Sequence, residues 1–160
     1  MANSKHAISF TADESRNLKT LEVPQGDTQL AAALAGIVGA DPVLGDFETR
    51  LQYGRDCLPH AKYLYRSGKQ PGTFPSLVVR PADGAQMVQV MKFLRDRKAR
   101  LIPVGTCSGV LGGSIPLCDE VAVDTARMDH ILKIDSENHL VTVQGGMNGG
   151  DFEAELNAAG

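Results

Sequence analysis

The chain has 160 residues, with 16 Lys and Arg against 19 Asp and Glu, for a formal charge of −3. Hydrophobic residues make up 42% and charged residues 22%, ordinary for a soluble globular chain long enough to bury a core. The mild acidity argues against a nucleic-acid footprint, and no apolar run reaches the roughly 18 residues of a membrane span. Residues 1–10 carry one Lys and no long apolar region, so they do not read as a secretory signal. Cys57, Cys107 and Cys118 are odd in number and widely spaced, which fits neither a disulfide framework nor a zinc pattern. The expectation is reduced thiols in a cytoplasmic protein with no metal site.

Residues 1–26 are polar and mixed and read as a loosely held arm. Asp27 then caps a predicted helix from Thr28 to about Val38, with Leu30, Leu34, Ile37 and Val38 at helical spacing and Gly39 at its end. Asp41-Pro42 predicts a second helical start carrying Val43, Leu44, Phe47 and Leu51. Residues 53–75 show no clear period and hold several Gly and Pro, so they read as an irregular connector.

The pattern sharpens at Ser76–Arg80, a short buried strand closed by Pro81. Asp83 and Gln86 make a capping-box-like pair, and Met87, Val90, Met91 and Leu94 define one face of a helix to about Ala99. Leu101–Val104 is a second strand. Strand, amphipathic helix and strand form a βαβ unit, so the two strands should run parallel. Further strands are predicted at Glu120–Asp124, His130–Ile134 and Leu140–Gln144, the last two joined into an antiparallel hairpin by Asp135–Asn138. Asp151 opens a final helix with Phe152 and Leu156 on one face. The fold class is therefore α+β: a small parallel βαβ unit followed by mostly antiparallel strands, behind a helical N-terminal extension.

The candidate site is the loop Gly105-Thr106-Cys107-Ser108-Gly109-Val110-Leu111-Gly112-Gly113, which leaves the second strand of the βαβ unit. Small residues let a backbone approach a ligand closely, and successive amide N–H groups can converge on phosphate oxygens. A Walker loop is disfavoured because the loop holds no Lys. A Rossmann fingerprint is disfavoured because Ser114-Ile115-Pro116 cannot start a helix cleanly. A tight turn without a ligand is the competing interpretation.

The order of segments adds more. Pro75–Pro81, Pro103-Val104-Gly105, Ser108–Gly113, Val123-Asp124, Arg127-Met128, Ile131–Asp135 and Val141–Met147 follow one another in a pattern. It resembles the FAD-binding domain of the vanillyl-alcohol oxidase and p-cresol methylhydroxylase superfamily. Within it, the pattern is most similar to FAD-linked oxidases of the glycolate-oxidase D-subunit and alkyldihydroxyacetonephosphate synthase type. Tyr53-Gly54-Arg55-Asp56 resembles the segment preceding that domain. The resemblance divides the chain into an arm with helices over residues 1–52 and the N-terminal portion of the FAD-binding domain over 53–160, incomplete at its C-terminal end.

The resemblance implies noncovalent FAD, with Pro103, Val104, Gly105, Thr106, Cys107, Ser108, Gly109, Gly112 and Gly113 lining the cofactor. It implies a flavin-dependent oxidoreductase acting on a small-molecule substrate, a 2-hydroxy acid or an ether-lipid precursor. The rival is a non-catalytic split or truncated module that needs a partner subunit or the remaining polypeptide. A nucleotide-binding module for ATP or NAD is a third alternative. Thr106 and Cys107 stand where the family usually has Gly or Ala, so their Cβ atoms narrow the loop's backbone. No matching His for a covalent flavin lies in or near the loop. Cys107 reads as a small filler ahead of a flavin attachment point or redox thiol.

Among the other residues, His60, Tyr63, Tyr65 and Arg66 lie in the connector as candidates for a cofactor or interface role. His130, beside Asp129, reads as a surface residue. Asp124 and Asp135 read as turn-capping groups, and Glu153 and Glu155 as a solvated helix face. No catalytic residue is named by the sequence.

Overall fold

A computed structural model describes residues 26–70 and 72–160. The expected arm falls outside the described residues except for Gly26. Helix α1 spans Thr28–Val38, and the Asp27 carboxylate accepts the Leu30 N–H at 2.9 Å to start it. Gly39 ends it at φ 89, in the left-handed region that glycine enters without a Cβ penalty.

The expected helical restart at Asp41-Pro42 does not form. Val43–Leu44 is instead a short strand, β1, and helix α2 begins later, at Phe47–Gln52, capped by Asp46. The reason is long-range pairing: β1 lies antiparallel to β2 (Leu77–Val79), with Val43 opposite Val79 and Leu44 opposite Val78. β-branched Val43 suits an edge strand, and the Arg80 N–H adds a bond to the Pro42 carbonyl at 3.0 Å.

The expected connector at 53–75 also needs correction, because helix α3 occupies Pro59–Arg66. Pro59 stands in its first turn and Gly68, at φ 70, follows its end. Its inner face buries Ala61 and Tyr65 against Leu51, Phe74 and Ile115.

Helix α4 runs Gly84–Asp96, with the Asp83 carboxylate accepting from Gln86 N–H and the Gln86 side chain accepting from Ala82 N–H, both at 2.8 Å. It stops before Ala99 because Lys98 turns left-handed at φ 53. Strands β3 (Leu101–Val104) and β4 (Val121–Asp124) complete a sheet in the order β1-β2-β4-β3. β4 runs parallel to both β2 and β3, so the two strands of the βαβ unit run parallel but are separated by β4.

Both faces of this sheet are covered. Leu34, Val38, Val90 and Leu94 pack on Leu77, Val79, Val121 and Val123 from one side. Tyr53 and Cys107 join Val78, Ile102, Val104 and Ala122 on the other. Double coverage explains the unbroken apolar runs of β2 and β4.

The expected hairpin forms as β5 (Ile131–Asp135) and β6 (Leu140–Val143), antiparallel and with a bulge near Leu132. The Asp135 carboxylate closes its turn by accepting from the Asn138 backbone and side-chain amides, both at 3.1 Å. Helix α5 spans Gly149–Ala159, two residues earlier than expected, because Asn148 rather than a residue nearer Asp151 caps it. Among the described residues no helix is long and apolar enough to cross a membrane.

The hairpin is tied to the main sheet where Gly146 N–H donates to the Met128 carbonyl at 2.9 Å. A Cβ built on Gly146 would stand 1.8 Å from the Thr125 carbonyl oxygen, whereas one on Gly145 meets nothing within 4 Å. Gly146→Ala is therefore expected to cost about 3 kcal/mol and Gly145→Ala under about 0.5 kcal/mol, measured by urea unfolding. Equal stabilities would contradict this packing.

Candidate functional site

β2, β4 and β3 run parallel, so their carboxyl ends share one edge of the sheet. Ligands of open α/β sheets characteristically sit at such an edge. Three features meet there: Arg80 just past β2, Asp124 at the end of β4, and the glycine loop leaving β3.

Asp124 is fully buried. Its Oδ2 accepts from the Tyr53 hydroxyl at 2.5 Å and from Arg80 Nε at 2.9 Å. Its Oδ1 accepts from Ala126 N–H at 2.8 Å, the turn-capping role expected of it. Arg80 Nη2 donates to the Tyr53 hydroxyl at 2.6 Å. Buried charges persist when paired and hydrogen-bonded in this way. Burial, reinforced by the Asp124 charge, pushes the Tyr53 hydroxyl far above its ordinary pKa. Burial opposes the Arg80 charge, but Tyr53 and Asp124 outweigh it and raise the guanidinium pKa. The exposed Arg127 caps the same edge, donating from Nη1 to the Arg80 carbonyl at 2.9 Å.

The loop rests on this network. Val104 and Cys107 are buried beneath it, beside Tyr53 and Ala122. Pro103, Gly105, Thr106, Ser108, Gly109 and Gly113 are exposed, and Gly112 is half-buried. Of the expected lining residues, Val104 and Cys107 thus offer the ligand side only backbone. Thr106 Oγ1 and Ser108 Oγ lie 3.0 Å apart on the exposed side.

Cys107 adopts φ 54, the left-handed backbone that a glycine takes more freely. This is where the departure from the family's small residues is felt. The left-handed turn carries the thiol into the core, where burial raises its pKa to about 11. Gly105 faces open space, since a Cβ there meets nothing within 4 Å. Gly109 is latched from below, its carbonyl accepting the Cys57 N–H at 2.8 Å.

The other candidates are dispersed. His60 is exposed at the start of α3, and His130 is exposed with Nδ1 3.4 Å from Asp129. Tyr63 is exposed, while Tyr65 is buried with its hydroxyl on the Gly54 carbonyl at 2.8 Å. Glu153 and Glu155 are exposed on α5. A groove of about 940 Å³ lies at the opposite end of the sheet, lined by Leu30, Arg50, Ser76, Arg97, Arg100 and Asp119, away from the loop.

Sequence reasoning missed Tyr53, Arg80, Arg55 and Asp56 as parts of this edge. Arg55 and Asp56 are both nearly fully buried, which charged residues seldom are. The segment Tyr53–Asp56 drew notice only as a resemblance; nothing in its spacing pointed to burial.

Comparison with known proteins gives the chain its family and its fold. Residues 75–160 match the family model described as FAD binding domain. A probable mitochondrial D-2-hydroxyglutarate dehydrogenase of Oryza sativa subsp. indica is 30% identical over 79 residues, covering 49% of this chain and 14% of the relative. An alkyldihydroxyacetonephosphate synthase of Caenorhabditis elegans is 31% identical over 115 residues, covering 69% of this chain and 19% of the relative. A solved alkyldihydroxyacetonephosphate synthase structure superposes with a TM-score of 0.81 at 18% identity, over 100% of this chain and 28% of that one. The chain thus spans less than a fifth of these curated relatives and shares the fold of the solved one. The family match extends over more than half of the sequence, and the chain belongs to the FAD binding domain family.

Proposed function

We propose that this chain holds noncovalent FAD at the carboxyl edge of its parallel sheet, for an oxidoreductase acting on a 2-hydroxy acid or an ether-lipid precursor. The observation that carries the proposal is the loop itself. It leaves β3 with an unobstructed Gly105, two exposed hydroxyls and a buried floor in which Arg80 balances Asp124. These features fit a pyrophosphate. Amides of Gly105 to Gly109 and the Thr106 and Ser108 hydroxyls would donate to its oxygens. Gly112 and Gly113 would let the following backbone pass close by. When bound, the flavin supplies a two-electron acceptor for a hydride equivalent.

Burial of the Cys107 thiol supports noncovalent attachment, because a thiol kept protonated is a poor nucleophile. The substrate classes come from the named activities of the relatives, D-2-hydroxyglutarate dehydrogenase and alkyldihydroxyacetonephosphate synthase. Free Cys57, Cys107 and Cys118 support a reducing compartment, and we place the protein in the cytoplasm.

One observation favours the second reading, a module completed by further polypeptide. Ile134 and Val143 are 44% and 37% exposed on the hairpin, and α5 buries no residue. A two-stranded hairpin with an uncovered apolar face is marginal by itself.

Titration of FAD with the purified chain is expected to quench flavin fluorescence saturably. Gly105→Val should weaken binding about ten-fold, since its side chain fills the approach to the loop, while leaving the unfolding temperature nearly unchanged. No saturable change with the wild-type chain would sink the proposal.

A thiol reagent at pH 8 is expected to label exposed Cys118 quickly and Cys107 only on unfolding. Because folding raises the Cys107 pKa from 9.0 to about 11, its contribution to stability is complete below pH 9 and lost as pH rises toward 11. Tyr53, also raised, adds a loss of the same sign at still higher pH. Alkaline denaturation of Cys107→Ala should lack the step between pH 9 and 11; an unchanged profile would contradict the assignment.

A further inference from the structure

Asp56 is a buried charge at the same edge that the loop's phosphate-holding role leaves unused. It is 1% exposed. Its Oδ1 accepts the Leu58 N–H at 2.8 Å, forming the turn that leads into α3. Its Oδ2 is buried and, among the described residues, accepts no hydrogen bond. An ionisable oxygen held this way is unfavourable for folding, so its position calls for a donor.

Oδ2 faces the glycine loop. A Cβ built on Gly109 would stand 3.6 Å from it, and Gly109 is itself exposed on the ligand side. The adjacent Cys57 N–H holds the Gly109 carbonyl at 2.8 Å, so the segment carrying Asp56 and the loop are joined at this point. The other buried carboxylate at this edge is spent, since both oxygens of Asp124 are hydrogen-bonded.

We propose that Asp56 reads a hydroxyl of the bound dinucleotide: Oδ2 accepts a hydrogen bond from a sugar-alcohol O–H next to the pyrophosphate, across the bare backbone of Gly109. This rests on the FAD site proposed above. A carboxylate repels phosphate, so the group it meets must be a donor. FAD carries hydroxyls on both sides of its pyrophosphate, on the ribose and on the ribityl chain. Asp56 therefore selects for a free hydroxyl and against a phosphorylated one.

The test compares the wild-type chain with Asp56→Asn, which retains an acceptor for the Leu58 N–H but removes the charge. Without ligand, Asp56→Asn is expected to unfold at the same temperature as wild type or higher, followed by circular dichroism. FAD affinity, followed by fluorescence, should fall about ten-fold or more, as for loss of a hydrogen bond to a charged group. ADP and FMN titrations locate the hydroxyl: a loss carried by ADP assigns it to the ribose, and one carried by FMN to the ribityl chain. If wild type binds FAD and Asp56→Asn binds it equally, the Asp56 proposal is wrong while the site stands. If the ligand-free variant unfolds several degrees lower, Asp56 is a structural group and the proposal is likewise overturned. If the wild-type chain binds no FAD, the site and the Asp56 role fail together.

Discussion

The hydrogen-bonded ion pair between Arg80 and Asp124, shared with the Tyr53 hydroxyl, is the constraint on which the rest of the molecule hangs. It joins the end of β2 to the end of β4 and ties both to the segment that follows α2. Without it, the carboxyl edge of the sheet would carry a buried charge with no partner, a loss of about 3–5 kcal/mol in comparable pairs. With it, the Asp124 charge is balanced beneath the loop, and the exposed side is polar. The glycine loop lies directly on that floor, with Cys107 plugged into the same cluster as Tyr53. An anion approaching the loop therefore meets amides and hydroxyls above an Asp124 carboxylate whose charge is already balanced.

The parts of this fold that were legible in the sequence are those set by neighbours along the chain. Asp27 with Gly39, and Asp83 with Gln86, bracket their helices through bonds spanning three or four residues, and both helices form where those signals stand. Asp135 and Asn138 close the hairpin in the same local way. What stayed hidden depends on partners far off. Val43 and Leu44 make a strand because β2 offers a free edge, and that information lies more than 30 residues away. The placement of β4 between β2 and β3 is likewise a fact about sheet order, on which periodicity is silent. Helix α3 was marked at both ends by Pro59 and Gly68, but its Tyr, Arg and Lys content obscured the apolar face formed by Ala61 and Tyr65.

The candidate site divides along the same line. The loop was visible because its small residues follow a strand, and composition alone reports that. Its floor was not, because Tyr53, Arg80 and Asp124 are brought together over up to 71 positions of chain. Thr106 and Cys107 were the positions expected to depart from the family's backbone, and the strain resides in Cys107 alone. Uncovered apolar residues on the hairpin are what favours the proposed reading of a module completed by further polypeptide, and the chain spans less than a fifth of the curated relatives compared above.

The central claim is that FAD sits at the carboxyl edge of the parallel sheet, on the loop after β3. Amide hydrogen exchange of the chain with and without FAD tests it most directly. The account requires slower exchange at residues 104–109 on binding, with the hairpin turn at 135–139 unchanged. Protection confined to the opposite end of the sheet, around Arg97 to Arg100, would contradict it.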